Sequence, residues 1–198
     1  ISFVPTMGGL HKGHISLIKK SKNFKGKVLV SIFVNPKQFN NKTDFKNYYR
    51  NFKEDLKILS KLKVDYVYLP NKKEIFSFNT KNKVFMDKFS KKLCGNFRKG
   101  HFEGVLDVMN RLLYIIKSKN VFMGKKDFQQ YLLIKKILGK KYKINVIGCQ
   151  TVRDKNEVAL STRNKLLNKN SMNKASKIAL KLIELKRKSK LNNLKMSI

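Results

Sequence analysis

Cysteine is scarce in this 198-residue chain, with Cys94 and Cys149 the only two. Two thiols build neither a disulfide framework nor a four-ligand zinc site, so a reducing cytoplasm is the expected compartment. Long apolar runs are missing too. Val28 to Val34 is far shorter than the roughly 18–20 residues needed to span a bilayer. The opening Ile-Ser-Phe-Val-Pro-Thr-Met has no basic lead and no long apolar region, so it is not expected to be a signal peptide. It also lacks an initiating Met, as expected of a piece of a longer chain. Acidic side chains number only 12 against 46 Lys and Arg, for a formal net charge of +34. Core-forming residues are plentiful. With 41% apolar and 11% aromatic residues, disorder throughout is excluded. The length suits one large domain, or one domain and part of a second.

The charge invites a nucleic-acid reading, but its make-up argues against a dedicated one. Of the basic residues, 40 are Lys and six are Arg, and Asn reaches 20. Lys, Asn, Ile and Phe are the residues of AT-rich codons, so nucleotide bias accounts for them without a partner. The lysines run along the whole chain, and Arg, the better reader of bases and phosphates, is rare. A basic nucleic-acid-binding protein stays as an alternative, and salt-sensitive sticking to polyanions is expected in any case.

Hydrophobic patterning predicts strands and helices in turn. Ser2 to Pro5 reads as a strand end, followed by a Gly-rich turn and a helix starting near His11 or Lys12. Val28 to Val34 reads as a strand buried on both faces. Phe45, Tyr49, Phe52, Leu56 and Leu59 form one helical stripe. Val64 to Leu69 is a short strand, and residues 71–100 read as irregular, with Gly95 and Gly100 framing a loop. A long helix through Val105 to Ile116 follows. Next come a strand at Val121 to Met123 ended by Gly124, a helix through Phe128 to Ile137, and a strand at Ile144 to Ile147. A polar stretch leads to a helix near Ala175 to Leu185 and a Lys-rich tail. This order predicts an α/β fold, a Rossmann-like parallel sheet with helices on both faces. Its ligand site is then expected at the strand C-termini, where Thr6–His14, Asn35–Phe39 and Gly124–Gln130 fall.

Four segments carry the chemistry. In Pro5-Thr-Met-Gly-Gly-Leu-His-Lys-Gly-His14, two histidines flank a glycine at a helix start. Free N–H groups there favour phosphate, the glycines allow close approach, and imidazoles can donate to phosphate oxygens. A helix cap with incidental histidines is the plainer reading, and a zinc pair lacks a third ligand. In Phe33-Val-Asn-Pro-Lys-Gln-Phe39, the amides of Asn35 and Gln38 can bind a hydroxyl and a carboxylate, unless this is an ordinary strand exit. In Met123-Gly-Lys-Lys-Asp-Phe-Gln-Gln130, Lys126 can neutralise phosphate, Asp127 can accept from a ribose hydroxyl, and Gln130 lies on the same helix face. In Ala159-Leu-Ser-Thr-Arg-Asn164, Ser161 and the rare Arg163 form a short polar clamp, unless this is a surface loop. Tyr48 and Arg98 are weaker pointers.

Together these segments resemble the pantothenate synthetase (pantoate–β-alanine ligase) family, from about Phe3 to Leu167. His-x-Gly-His alone marks a whole nucleotidyltransferase superfamily, but the full set of motifs is specific. The resemblance implies a Rossmann-like nucleotide domain over 1–151 and the start of a smaller lid domain over 152–198. The family's first strand and helix, and most of its small domain, are expected to lie outside these residues. It further implies condensation of pantoate with β-alanine, using ATP with Mg2+, through a pantoyl adenylate, in a homodimer. Another nucleotidyltransferase of the same superfamily is the alternative. By resemblance, Met7, Gly8, Gly9, Leu10, His11, Lys12, Gly13 and His14 wrap the ATP phosphates, with His14 as proton donor and His11 and Lys126 assisting. Gly124, Lys125, Lys126 and Asp127 hold the nucleotide. Val152, Leu160, Ser161, Thr162 and Arg163 complete the ATP site from the small domain. Gln38 and Gln130 contact pantoate, and Gln38 also lies near β-alanine. No resident metal and no membrane or specific nucleic-acid partner is expected. Four residues depart from the family pattern: Cys94 for Glu, Lys125 for Glu, Glu103 for Arg and Thr162 for Ser.

Overall fold

The computed structural model describes residues 1–78, 84 and 86–195, with side chains as far as Ser189. Five strands are present among these residues: β1 (Ser2–Thr6), β2 (Val28–Ile32), β3 (Tyr66–Tyr68), β4 (Asn120–Gly124) and β5 (Asn145–Cys149). They form one parallel sheet in the order β3-β2-β1-β4-β5. This is the expected α/β architecture. Side chains alternate between its faces with period two. Phe3, Val121 and Met123 face one apolar layer, while Val4, Val28, Val30, Ile32 and Phe122 face the other. Phe3 and Phe122 are fully buried, and each such burial stabilises by roughly 1.5–3 kcal/mol.

Helices cover both faces. α1 (Lys12–Lys22) puts Leu17 and Ile18 on the Val4 side, joined by Leu59 of α3 (Phe52–Lys61). α6 (His101–Ile116) covers the Phe3 side with Val105, Leu106, Met109 and Leu113. α7 (Phe128–Ile134) adds Tyr131 and Ile134 there. It runs through a π-helical stretch, Lys135–Gly139, into a last turn, α8 (Lys140–Tyr142).

Three expectations are corrected. The stripe from Phe45 to Leu59 is two helices, α2 (Lys42–Asn47) and α3, because the chain turns at Tyr48 and restarts where Asn51 caps Glu54 N–H. The stretch 71–100 is not irregular throughout. It holds α4 (Lys72–Phe76), started by an Asn71–Glu74 capping box, a 3-10 turn at Lys88–Lys91, and α5 (Cys94–Phe97). Its residues 79–83 and 85, like 196–198 of the Lys-rich tail, lie outside the described residues. The last helix, α9, spans Lys169–Lys195 rather than the shorter segment expected.

One feature of the sheet creates the site. β1 pairs with β2 along its whole length, but its pairing with β4 ends at Phe3–Val121. Beyond that point the two central strands part. The crevice opens where the strand order reverses, between the ends of β1 and β4.

Candidate active site

A cavity of about 220 Å³ occupies this crevice. Its wall draws on the end of β1 (Thr6, Met7), the start of α1 (His11, Gly13, His14) and the exit of β2 (Asn35, Gln38). The end of β4 and start of α7 add Gly124, Lys126, Asp127 and Gln130, and the later segment adds Val152, Leu160, Ser161, Thr162 and Arg163. Phe33, Val105, Met109, Leu112 and Met123 supply an apolar wall. The four sequence segments therefore converge on one cavity.

The first turn is held by a residue that the motifs did not single out. Gly8 and Gly9 take φ of +79° and +62°, a region open chiefly to glycine. A Cβ on Gly9 would collide with the Thr162 methyl. In this shape the N–H groups of Gly9 and Leu10 both donate to the Asp55 carboxylate, at 2.9 and 2.7 Å. Asp55 is only 2% exposed, on α3. The signal for it was present in the sequence: Asp55 shares a helical face with Phe52 and Leu59, so a charge stands in an apolar stripe. Gly8, Gly9, Leu10 and Lys12 do not line the cavity. The first three form the buried turn behind it, and Lys12 is exposed.

The two histidines cap α1 and each other. His11 Nδ1 accepts from Gly13 N–H at 3.1 Å, and His14 Nδ1 accepts from His11 N–H at 3.3 Å. With both Nδ1 lone pairs engaged, each neutral ring carries its proton on Nε2. The helix-cap reading and the phosphate-donor reading are thus compatible, because capping uses one nitrogen and leaves the other. Burial, reinforced by His11 and by the Lys126 charge, pushes His14 down to about 3. Burial also lowers His11, with Lys126 and Lys165 adding to it. Both rings are therefore neutral N–H donors near pH 7, not imidazolium ions. The third histidine is structural: buried His101 bonds through Nδ1 to the Gln38 carbonyl at 2.8 Å.

Gln38 is oriented rather than loose. Asn35, itself buried, donates to Gln38 Oε1 at 3.2 Å and to the Gly104 carbonyl at 3.0 Å. Gln38 Nε2 meets the sulfur of Met7. Asn35 thus ties the β2 exit to α6, while Gln38 presents its amide to the cavity. Gln129, the neighbour of Gln130, has a different task. It accepts from Cys94 N–H and donates to the Phe89 and Lys92 carbonyls, pinning the loop before α5. It is the backbone N–H of exposed Cys94 that Gln129 holds. Glu103 is exposed on α6, and Lys125 lies against Gly148 of β5 rather than lining the cavity.

The later segment reaches the site through a short hairpin. Leu160 N–H donates to the Val152 carbonyl at 2.9 Å, which sets these two residues side by side. Thr162 Oγ1 then donates to the Gly9 carbonyl at 3.1 Å, and Arg163 pairs with Asp44 of α2.

A parallel sheet with this order, a cavity at its switch point, and two imidazole donors at the first helix start define a Rossmann-like nucleotide-handling enzyme. The pantoate–beta-alanine ligase family profile matches residues 1–198. The pantothenate synthetase of Sulfurihydrogenibium sp. (strain YO3AOP1) is 43% identical over 188 residues, covering 94% of this chain and 67% of that one. That of Francisella tularensis subsp. mediasiatica is 42% identical over 197 residues, covering 98% and 74%. A crystal structure of the Francisella tularensis pantoate–beta-alanine ligase, complexed with beta-gamma ATP and beta-alanine, superposes with a TM-score of 0.84. Its identity is 42%, and the match covers 90% of this chain and 69% of that one. The chain thus spans about two thirds to three quarters of these relatives' length. It belongs to the pantoate–β-alanine ligase family, an ATP-using carbon–nitrogen ligase that condenses pantoate with β-alanine.

Proposed function

We propose that the condensation runs through a pantoyl adenylate formed in this cavity. A pantoate carboxylate oxygen attacks the α-phosphorus of ATP, the bond from that phosphorus to the bridging oxygen breaks, and pyrophosphate leaves. The β-alanine nitrogen then attacks the acyl carbon, the bond to the AMP oxygen breaks, and the nitrogen's proton passes to water. A carboxylate is a poor electrophile, and adenylation gives it a good leaving group. No cysteine is among the residues that line the cavity, and no covalent enzyme intermediate is needed. Catalysis rests on positioning and charge stabilisation.

The observation that carries this reading is the mixed lining of one cavity. His11, His14, Lys126 and Arg163 suit a triphosphate, while Gln38 and Gln130 beside an apolar wall suit a small hydroxy acid. In this reading Nε2–H of His14 and His11 donate to phosphate oxygens as charge builds on them. Lys126 and Arg163 neutralise charge, and Gly124 and Asp127 receive the nucleoside. Gln130 and Gln38 hold pantoate, with Gln38 also near β-alanine. Residues 1–151 form the nucleotide domain, and 152–198 begin a lid. In this division the Thr162–Gly9 bond links the two parts at the phosphate turn.

Mg2+ enters as part of the substrate. Among the described residues no three His, Cys, Asp or Glu side chains cluster as a metal site. Asp55 is engaged by backbone N–H groups and Asp44 by Arg163, so ATP phosphates would hold the ion, with Asp127 the one carboxylate lining the cavity. A cytoplasmic homodimer is part of the same proposal. No described helix is long and apolar enough to cross a membrane. The test is pantoate-dependent exchange of labelled pyrophosphate into ATP without β-alanine. Exchange is expected, and its absence where full condensation proceeds would overturn the adenylate route.

A further inference from the structure

Arg163 is held from a distant part of the chain. Its Nε and Nη2 donate to Asp44 Oδ1 and Oδ2 at 3.0 and 2.8 Å, a side-on bidentate pair between residues 119 apart in sequence. The guanidinium carbon also lies 5.6 Å from the Phe39 ring centroid and 5.2 Å from that of Tyr48. Asp44 sits in the first turn of α2, whose start is fixed by Asn41 accepting Thr43 N–H at 2.7 Å. The short α2 helix therefore delivers one carboxylate to one arginine, and two aromatic rings lie beside the guanidinium.

A guanidinium has five N–H donors, and this geometry uses two of them. Asp44 does not use Nη1 or the outer N–H of Nη2, and Arg163 is among the residues that line the cavity. An unpaired arginine on so short a segment would sample many rotamers and lose entropy on meeting phosphate. A bidentate partner supplies that ordering in advance. The pair also compensates charge. Arg163 holds the Asp44 carboxyl below its usual range, and Asp44 raises Arg163. Asp44 therefore adds no attraction for ATP in the ground state. Its effect is on orientation.

We infer that Asp44 is a positioning residue for the adenylation step: it locks the Arg163 guanidinium so that its free edge meets the nucleotide phosphates as pyrophosphate departs. This rests on the reading above that Arg163 contacts ATP. Small misplacements of a charge-stabilising group fall on the rate more than on binding.

The test is a double-mutant cycle on the pantoate-dependent exchange, with Asp44→Asn and Arg163→Met alone and together. Asp44→Asn is expected to lower kcat about tenfold or more, with the KM for ATP unchanged or lower. Asp44→Glu, which keeps the charge, should recover much of the rate. In the Arg163→Met background, Asp44→Asn should cost less than about twofold, since the two act as one unit. An equal loss from Asp44→Asn in both backgrounds, or a loss matched by a lowered unfolding midpoint, would make Asp44 structural and overturn the inference. Full exchange in Asp44→Asn with exchange lost in Arg163→Met would also overturn it, while leaving the Arg163 assignment standing. Full exchange in Arg163→Met would overturn that assignment and the inference with it.

Discussion

His14 Nδ1 accepts the backbone N–H of His11, and the two imidazole centroids lie 4.1 Å apart. Two rings this close, with Lys126 bearing on both, cannot readily take on positive charge. In the proposed reading, the ligand-free site therefore offers neutral N–H donors to ATP.

That geometry has a pH signature. An unfolded imidazole binds its proton near pH 6.5, whereas folded His14 does so only near 3. Between those values the unfolded chain binds more protons, so stability rises with pH and is lost as pH falls from 6.5 towards 3. Urea midpoints of the ligand-free protein should drop between pH 7 and pH 5, and by less in His14→Asn. An equal drop in both proteins would mean that His14 titrates normally in the fold.

Asp55 gives a second expectation. Its carboxylate accepts two N–H groups in a buried place, and Asn offers one oxygen and one NH2. Asp55→Asn therefore leaves the N–H of Gly9 or Leu10 facing a donor. An unsatisfied buried group costs about 1–3 kcal/mol, and the Gly8–Gly9 turn held by the carboxylate is the part expected to shift. Denaturant titration should show that loss, and the exchange reaction should fall with it. Unchanged stability would show that the turn holds its shape without the carboxylate.

The difference between what patterning and motifs reveal and what they miss has physical reasons. Strand positions such as Phe3, Val4 and Phe122 declare themselves because a parallel sheet covered on both faces needs apolar residues at consecutive positions. The β1 turn and α1 start are legible because glycine and histidine have few other reasons to cluster there. Asp55 stands out only as a charge in an apolar stripe, and the partners of Asp55 and Asp44 are not legible in the same way. Each acts across the fold on a segment 45 or more residues away, and no local spacing encodes such a partner. The break between α2 and α3 was obscured because apolar spacing continues through Tyr49 while the backbone does not. α4 is a different case: its Asn71-x-x-Glu74 capping box was in the sequence, and apolar periodicity alone passes over a helix of five residues.

The last expectation concerns His14 itself. As the bond to pyrophosphate lengthens, negative charge grows on the bridging and non-bridging oxygens. A neutral Nε2–H aimed there gains more in the transition state than in bound ATP, because the donor is already oriented by its Nδ1 bond to His11. Loss of one such donor typically slows reaction about 10²- to 10³-fold. His14→Ala should slow adenylation by about that factor, with a much smaller change in ATP affinity. The second half-reaction displaces AMP rather than pyrophosphate, so the variant should still convert preformed pantoyl adenylate and β-alanine at a substantial rate. His14 also caps the first turn of α1, so a purely structural role would slow both half-reactions alike. Rapid-quench measurement of each half-reaction separates the two roles. Equal losses would reduce His14 to a helix cap, and a loss confined to adenylation would mark it as the donor to the departing pyrophosphate.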